Sequence, residues 1–319
     1  MSERVVVEAV TKPVFLGEGP HWATREHALY YVDIFQQDVH RFHPATGNHS
    51  TMHIEGGPVT LVVPHKTSTN TFVVSVGRDL VAVTWADPTK DCVVTSYSVL
   101  ATVDAQHSEN RFNDGKCDDS GRLWAGTMGN TDVYDEGPAH GGLYLLAHPG
   151  APVELLNKVS ISNGLAWSED HHTFYYVDSS QLKVEAFDCD FQNARLGKRR
   201  TVFDYREAGL HPAFPDGLTI DTHGNLWVAS FGAGKIHCVN PATGQLVRWV
   251  EVPAANVTSV CWGGPNLDQL YVTSTQKRLT KEQLVQQPHS GAVFRVTGLG
   301  ARGRPPADCA IMLSNTRTP

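Results

Sequence analysis

Apolar residues in this chain fall into short runs, mostly β-branched and aromatic, separated by clusters of Gly, Pro, Asn and Asp. Runs of this length, bounded by turn residues, predict strands; no long amphipathic helix is predicted. The strands group into units that repeat. The first begins at Gly17-Glu18-Gly19-Pro20-His21-Trp22, passes through Ala28-Leu29-Tyr30-Tyr31-Val32-Asp33 and Asp38-Val39-His40-Arg41-Phe42, and closes at Pro44-Ala45-Thr46-Gly47. A second starts near Gly56-Gly57-Pro58 and uses Thr71–Val76 and Leu80–Trp85. A fourth opens at Ile161-Ser162-Asn163-Gly164 and repeats the first closely, with Tyr175-Tyr176-Val177-Asp178 standing where Tyr30-Tyr31-Val32-Asp33 stood. A sixth runs from Thr258 through Gln269–Ser274 to Ala292–Thr297.

The third and fifth units are near copies. Arg111-Phe112-Asn113-Asp114-Gly115-Lys116 leads to Asp119-Ser120-Gly121 and Leu123-Trp124-Ala125-Gly126-Thr127-Met128, and Phe214-Pro215-Asp216-Gly217 leads to Asp221-Thr222-His223-Gly224 and Leu226-Trp227-Val228-Ala229-Ser230. In each copy the second Asp/Gly group reads as a hairpin turn, because those residues tolerate tight-turn backbone conformations. The first Asp-Gly precedes the strand and needs another explanation. Spacings of roughly 40 to 55 residues, with about four strands each, predict propeller blades. The expected architecture is an all-β, six-bladed β-propeller occupying residues 1–319 as one domain, with a central metal site. A chain of 319 residues can hold such a unit without staples.

The net charge of −7 argues against a nucleic-acid surface, which requires clustered Lys and Arg. The six cysteines (Cys92, Cys117, Cys189, Cys238, Cys261, Cys309) show no C-x-x-C spacing, so neither a zinc ribbon nor a redox motif is expected; they read as reduced thiols. Met1-Ser2-Glu3-Arg4 followed by Val5-Val6-Val7 makes neither a signal peptide nor a membrane span, and a cytoplasmic monomer with no membrane contact is the expectation.

Every blade of a propeller meets the central channel in the same direction, so the residues just before the first strands converge at one mouth. These are Glu18, Asn113, Asp114, Asn163 and Asp216. Glu18, Asn163 and Asp216 offer carboxylate and amide oxygens, with Asn113 a further oxygen donor nearby. Hard oxygen donors of mixed charge suit Ca²⁺ first, then Mg²⁺ or Mn²⁺, with Zn²⁺ as a softer alternative. Asn-Gly and Asp-Gly are also ordinary turn dipeptides, and each alone is accounted for that way. Glu18 is different: no turn requires a Glu inside Gly17-Glu18-Gly19, and the five together point to a cation. The sixteen histidines show no H-E-x-x-H or comparable ligand spacing and are assigned to surface or packing; His21 and His211 alone lie near site segments. Trp22, Trp124, Trp167, Trp227 and Trp262 occupy similar places in their units and are assigned to the core. No phosphate loop, nucleophile elbow or catalytic cysteine context is present.

Gly17–Trp22, Arg111–Lys116, Gly126-Thr127-Met128, Ile161–Leu165, Pro215-Asp216-Gly217, and Gly263-Gly264 with Thr297–Gly300 together resemble the motifs of the senescence marker protein-30, gluconolactonase and regucalcin family, over nearly the whole chain. Trp262-Gly263-Gly264-Pro265-Asn266-Leu267-Asp268 resembles the insect branch, which includes the firefly luciferin-regenerating proteins. The resemblance implies one divalent cation held by Glu18, Asn163 and Asp216, with Asn113 beside it and Arg111 on a sugar lactone. One departure affects the sugar: the vertebrate members carry a glutamate a few residues after Gly-Thr-Met, where this chain reads Gly129-Asn130-Thr131-Asp132. Thr131 cannot supply that carboxylate, and Asp132 is the substitute expected to reach the substrate. The reading is a metal-dependent lactonase acting on a small-molecule lactone such as gluconolactone, with Asp216 as general base. Its rivals are a Ca²⁺-binding regulatory protein without turnover, a phosphotriesterase, and a luciferin-regenerating protein, all using the same ion. No EF-hand is present, since Asp188-Cys189-Asp190 lacks the later ligands and glycine.

Overall fold

The structure, a computed structural model, describes residues 4–129 and 139–313. Six sheets form the blades of a β-propeller. Their innermost strands are Gly17–Ala23, Val62–Pro64, Arg111–Cys117, Ser162–Trp167, Phe214–Ile220 and Val257–Gly263 for blades 1 to 6. Inner strands of successive blades touch around the ring, Arg111–Cys117 meeting Thr71–Val76 of blade 2, and the last inner strand meets the first. Six hydrophobic clusters fill the seams between adjacent blades. Each middle strand is therefore covered on both faces, which is why Thr71–Val76 and Ala28–Asp33 are buried throughout and read as unbroken apolar runs.

Two features of the ring depend on distant pairing. Blade 6 takes only three strands from its own stretch; its outer strand is Val6–Ala9, antiparallel to Phe294–Thr297, so the N-terminal segment closes the circle. Blade 1 gains a fifth strand, Cys92–Val94, parallel to Asn48–Ile54. Among the described residues the one α-helix is the short Lys281–Gln286, started by a capping box between Thr280 and Gln283. Among them too, no helix is long and apolar enough to cross a membrane.

Trp22, Trp124, Trp167, Trp227 and Trp262 are core, as expected, with Trp124 against Trp167 at 5.4 Å and Trp227 against Trp262 at 5.5 Å, both edge-on across blade seams. The hairpin turns before Trp124 and Trp227 are present, as expected, and an aspartate organises each. In blade 3 the organising carboxylate is Asp118, not Asp119: it accepts the amides of Ser120 and Arg122 and the Trp124 indole N–H at 2.9 Å. Asp221 repeats this in blade 5, accepting the amides of His223 and Asn225 and the Trp227 indole at 2.9 Å.

Past the last strand, the chain crosses the end of the channel opposite the inner-strand starts. Arg304 donates to the carbonyl of Trp167, Asp308 pairs with Arg25 at 2.9 Å, the Cys309 amide donates to Pro64, and Ala310 donates to Gly121. This segment and the inner strands enclose a cavity of roughly 90 Å³ lined in part by His21, Lys116 and Cys261. The channel is thus floored at that end. All six cysteines are free thiols, as expected.

Candidate metal centre

The Asp-Gly and Asn-Gly pairs are not turns. They lie inside the inner strands, at a shift of register that recurs in five of them: Glu18 to His21, Phe112 to Gly115, Ser162 to Leu165, Pro215 to Leu218 and Val257 to Val260. An extra residue bends the strand and re-aims the side chain beside it. The glycines serve close packing between blades. A Cβ on Gly164 would stand 2.6 Å from the amide nitrogen of Leu218, and one on Gly217 would stand 2.0 Å from the Ser259 hydroxyl. Gly19 alone among these follows the turn rule, with φ +54°.

The bulges bring Glu18, Asp114, Asn163 and Asp216 together, all buried. Each carboxylate has the amide of the next glycine beside it: Gly19 donates to Glu18 at 3.0 Å, Gly115 to Asp114 at 2.7 Å, and Gly217 to Asp216. The Asn163 amide is clamped. Its Nδ2 donates to Ser179 Oγ at 2.8 Å, and Ser179 Oγ donates to the carbonyl of Pro215 at 2.7 Å, beside Asp216. Its Oδ1 accepts from Asn113 Nδ2 at 3.1 Å. Asn113 lies between Asn163 and Arg111: its own Oδ1 accepts from Arg111 Nη1 at 2.8 Å. Arg111 in turn lies 5.8 Å from the centre of the Phe35 ring, a residue the sequence reading had not singled out. Blades 2 and 6 bring hydroxyls to the neighbouring strands and tie them up structurally, Thr60 with Ser75 and Thr258 with the carbonyl of Gly17.

Charge at this centre is unbalanced. Burial pushes the Glu18 carboxyl up to about 8, reinforced by Asp114 and opposed by the Gly19 amide and Arg111. Burial, then Glu18 and Asp114, hold Asp216 well above the usual carboxylate range. Asp114 is raised by burial but opposed by the Lys116 ammonium. Lys116 lies deeper, donating to the carbonyls of Leu165 and Leu218 at 2.9 Å each. Three desolvated carboxylates, with Glu18 and Asp216 raised further by their neighbours, are a costly arrangement that a multivalent cation relieves. The donor set of carboxylate and amide oxygens fits a hard divalent ion.

Of the residues expected at the site, the structure brings together Glu18, Arg111, Asn113, Asn163 and Asp216. Asp132 and Thr131 lie outside the described residues. His21 sits deeper than Glu18, facing Asp308 at 3.4 Å on the floor side. Asp114, whose role the sequence left open, belongs to the carboxylate group; its alignment with Asp216 in the repeat was the available signal. Lys116 gave none, since a lysine among polar residues reads as surface.

The SMP-30/Gluconolactonase/LRE-like region matches residues 16–276. Regucalcin of Gallus gallus is 38% identical over 296 residues, covering 91% of this chain and 93% of that protein. The structure of a luciferin-regenerating enzyme superposes with a TM-score of 0.90 at 34% identity, over 97% of this chain and 100% of that one. A calcium-binding regucalcin from Agrobacterium tumefaciens shares the fold, with a TM-score of 0.84 at 24% identity over 97% of this chain and 98% of that one. Motif, fold and relatives agree that this chain belongs to the SMP-30/gluconolactonase/LRE-like family.

Proposed function

We propose that this chain is a divalent-cation-dependent hydrolase that opens a sugar lactone such as gluconolactone to its acid. The observation carrying this reading is the buried group Glu18, Asp114 and Asp216 around Asn163, with too little positive charge of its own. Glu18, Asn163 and Asp216 would hold the ion, Ca²⁺ first by its hard donors, with Mg²⁺, Mn²⁺ or Zn²⁺ as alternatives. When bound, the ion supplies Lewis-acid stabilisation of charge on the lactone carbonyl.

The chain's own residues supply the rest. Asp216 takes a proton from the attacking water as its oxygen bonds to the carbonyl carbon. The ring C–O bond then breaks, and that proton passes to the departing alkoxide. Arg111 and Asn113, locked together at 2.8 Å, present the guanidinium to substrate hydroxyls or to the carbonyl end. Asp132 completes the sugar contacts in this reading. A cytoplasmic monomer acting on a small molecule, without nucleic acid or membrane partners, remains part of the proposal.

The test is a panel of lactones, phosphotriesters and nitriles, assayed with Ca²⁺, Mg²⁺, Mn²⁺ or Zn²⁺ and again with chelator. The expected result is ion-dependent opening of aldonolactones, abolished by chelator. Turnover that survives chelator would sink the metal-dependent reading. The relatives named regucalcin favour a second reading, Ca²⁺ binding without turnover; Ca²⁺ uptake with an inert panel would select it.

A further inference from the structure

A second group of metal-binding side chains stands outside the carboxylate centre. His107, Glu109 and His140 each place a ligand atom within 4.8 Å of the others. His107 and Glu109 lie on the connection leading to Arg111, and His140 lies just before the strand Gly141–Leu146. The two imidazole rings are stacked with centres 4.2 Å apart and planes at 27°. The Glu109 carboxylate is 3.6 Å from His107 Nδ1.

The backbone beneath these rings is built to hold them. Asn110 is buried, and its Nδ2 donates both to Asp104 Oδ2 at 2.7 Å and to the carbonyl of His140 at 2.9 Å. The other oxygen of Asp104 accepts the Tyr144 hydroxyl. The His107 amide donates to the carbonyl of Asp104 at 2.9 Å, and the Asn110 amide to that of His107 at 3.0 Å. One Asp–Asn–Tyr network therefore pins residues 104–110 to residues 140–144, and the rings face each other as a consequence. Orientation of the ligand segments by a supporting hydrogen-bonded shell is the usual mark of a metal site.

We propose that His107, Glu109 and His140 form a site for a borderline transition-metal ion, of which Zn²⁺ is the representative. Two imidazoles and one carboxylate match that class, and the imidazoles are poor ligands for Ca²⁺, so the site is chemically separate from the all-oxygen centre. Three protein ligands leave the remaining positions to water. An ion bound there joins the segment that carries Arg111 to the start of the neighbouring strand.

The test is calorimetric titration of Zn²⁺ into the full chain kept saturated with Ca²⁺, which occupies hard-oxygen sites. The expected result is one equivalent of Zn²⁺ that excess Ca²⁺ does not displace, lost in the His107→Ala/His140→Ala variant. Glu109→Gln, which removes no ring, should weaken Zn²⁺ by about tenfold, the scale on which even supporting groups act. Because the two rings are partly or fully exposed, the variant should keep the parent melting temperature in Ca²⁺. No Zn²⁺ uptake by the parent, or unchanged stoichiometry and affinity in the double variant, overturns the proposal.

Discussion

Blades 3 and 5 share one framework and differ in the charge placed next to the inner-strand aspartate. In both, an aspartate in the hairpin turn holds a tryptophan indole at 2.9 Å, and a second aspartate on the inner strand accepts the amide of the glycine after it. Two residues past that aspartate, blade 3 has Lys116 and blade 5 has Leu218. Asp114 accordingly has a built-in ammonium to oppose its burial, whereas Asp216 has only carboxylates for charged neighbours among the groups that set its protonation. Two equivalent positions thus differ in charge balance: the first has an ammonium of its own nearby, and the second has none.

The largest expected effect tests that division. Asp216→Ala should lower ion-dependent lactone hydrolysis by about 1,000-fold, on the scale of removing a principal charge-stabilising group. It should also abolish the rise in melting temperature on adding Ca²⁺, while β-sheet circular dichroism is unchanged. Asp114→Asn should keep a Ca²⁺-dependent rise. If both variants lose the Ca²⁺ response equally, the contrast between the blades is wrong.

Next in size is Lys116→Met, which strips Asp114 of its partner inside the channel. It also leaves the buried carbonyls of Leu165 and Leu218 without their donor, and the expected loss is about 2 to 3 kcal/mol, read in denaturant titrations of the chelated protein. Adding Asp114→Asn should return part of that loss; a strictly additive double variant would show that Lys116 does not compensate Asp114.

The pH dependence is smaller and carries a definite sign. Glu18 ionises near 4.5 in the unfolded chain but at about 8 in the fold without a cation. A raised carboxyl contributes stability fully present below the unfolded value and lost as pH rises through the folded one. Asp114 and Asp216 shift in the same direction. In chelator, the melting temperature should therefore fall as pH rises from about 4.5 to about 8. Saturating Ca²⁺ should remove that slope, because an ion that binds the ionised carboxylates stabilises the fold by mass action. A flat profile in chelator would mean that burial does not raise these carboxyls.

The smallest effect concerns the turns. Asp118 also pairs with Arg122 Nε at 2.7 Å, whereas Asp221 has only the weaker Asn225 Nδ2 at 3.3 Å in that place. Asp118→Asn should cost about 1 kcal/mol more than Asp221→Asn, the margin by which charged hydrogen bonds exceed neutral ones. Equal losses would mean that the Arg122 contact is worth nothing.

How much of this was legible follows from how local each feature is. Strand runs, turn residues and blade spacing are written in contiguous stretches, so the six units and Glu18, Asn163 and Asp216 at their starts could be read directly. The role of the following glycines could not. Asp-Gly is ambiguous between a turn and a bulge until the neighbouring blade is in place, and the near contact of Gly217 with Ser259 shows that packing decides it. Asn113 was found, but its amide orientation depends on Arg111 on one side and Asn163 on the other.

By itself, then, the sequence determined the all-β class, the number of blades and the oxygen-rich residues at the channel mouth, because periodicity and turn chemistry act over a few residues. Only the tertiary structure decided that Val6–Ala9 completes blade 6, that the segment around Cys309 floors the channel, that Asp114 joins Glu18 and Asp216, and that His107 stacks on His140. Each of these joins residues from separate stretches of chain, and the closure of the ring, not any local propensity, sets the distance between them.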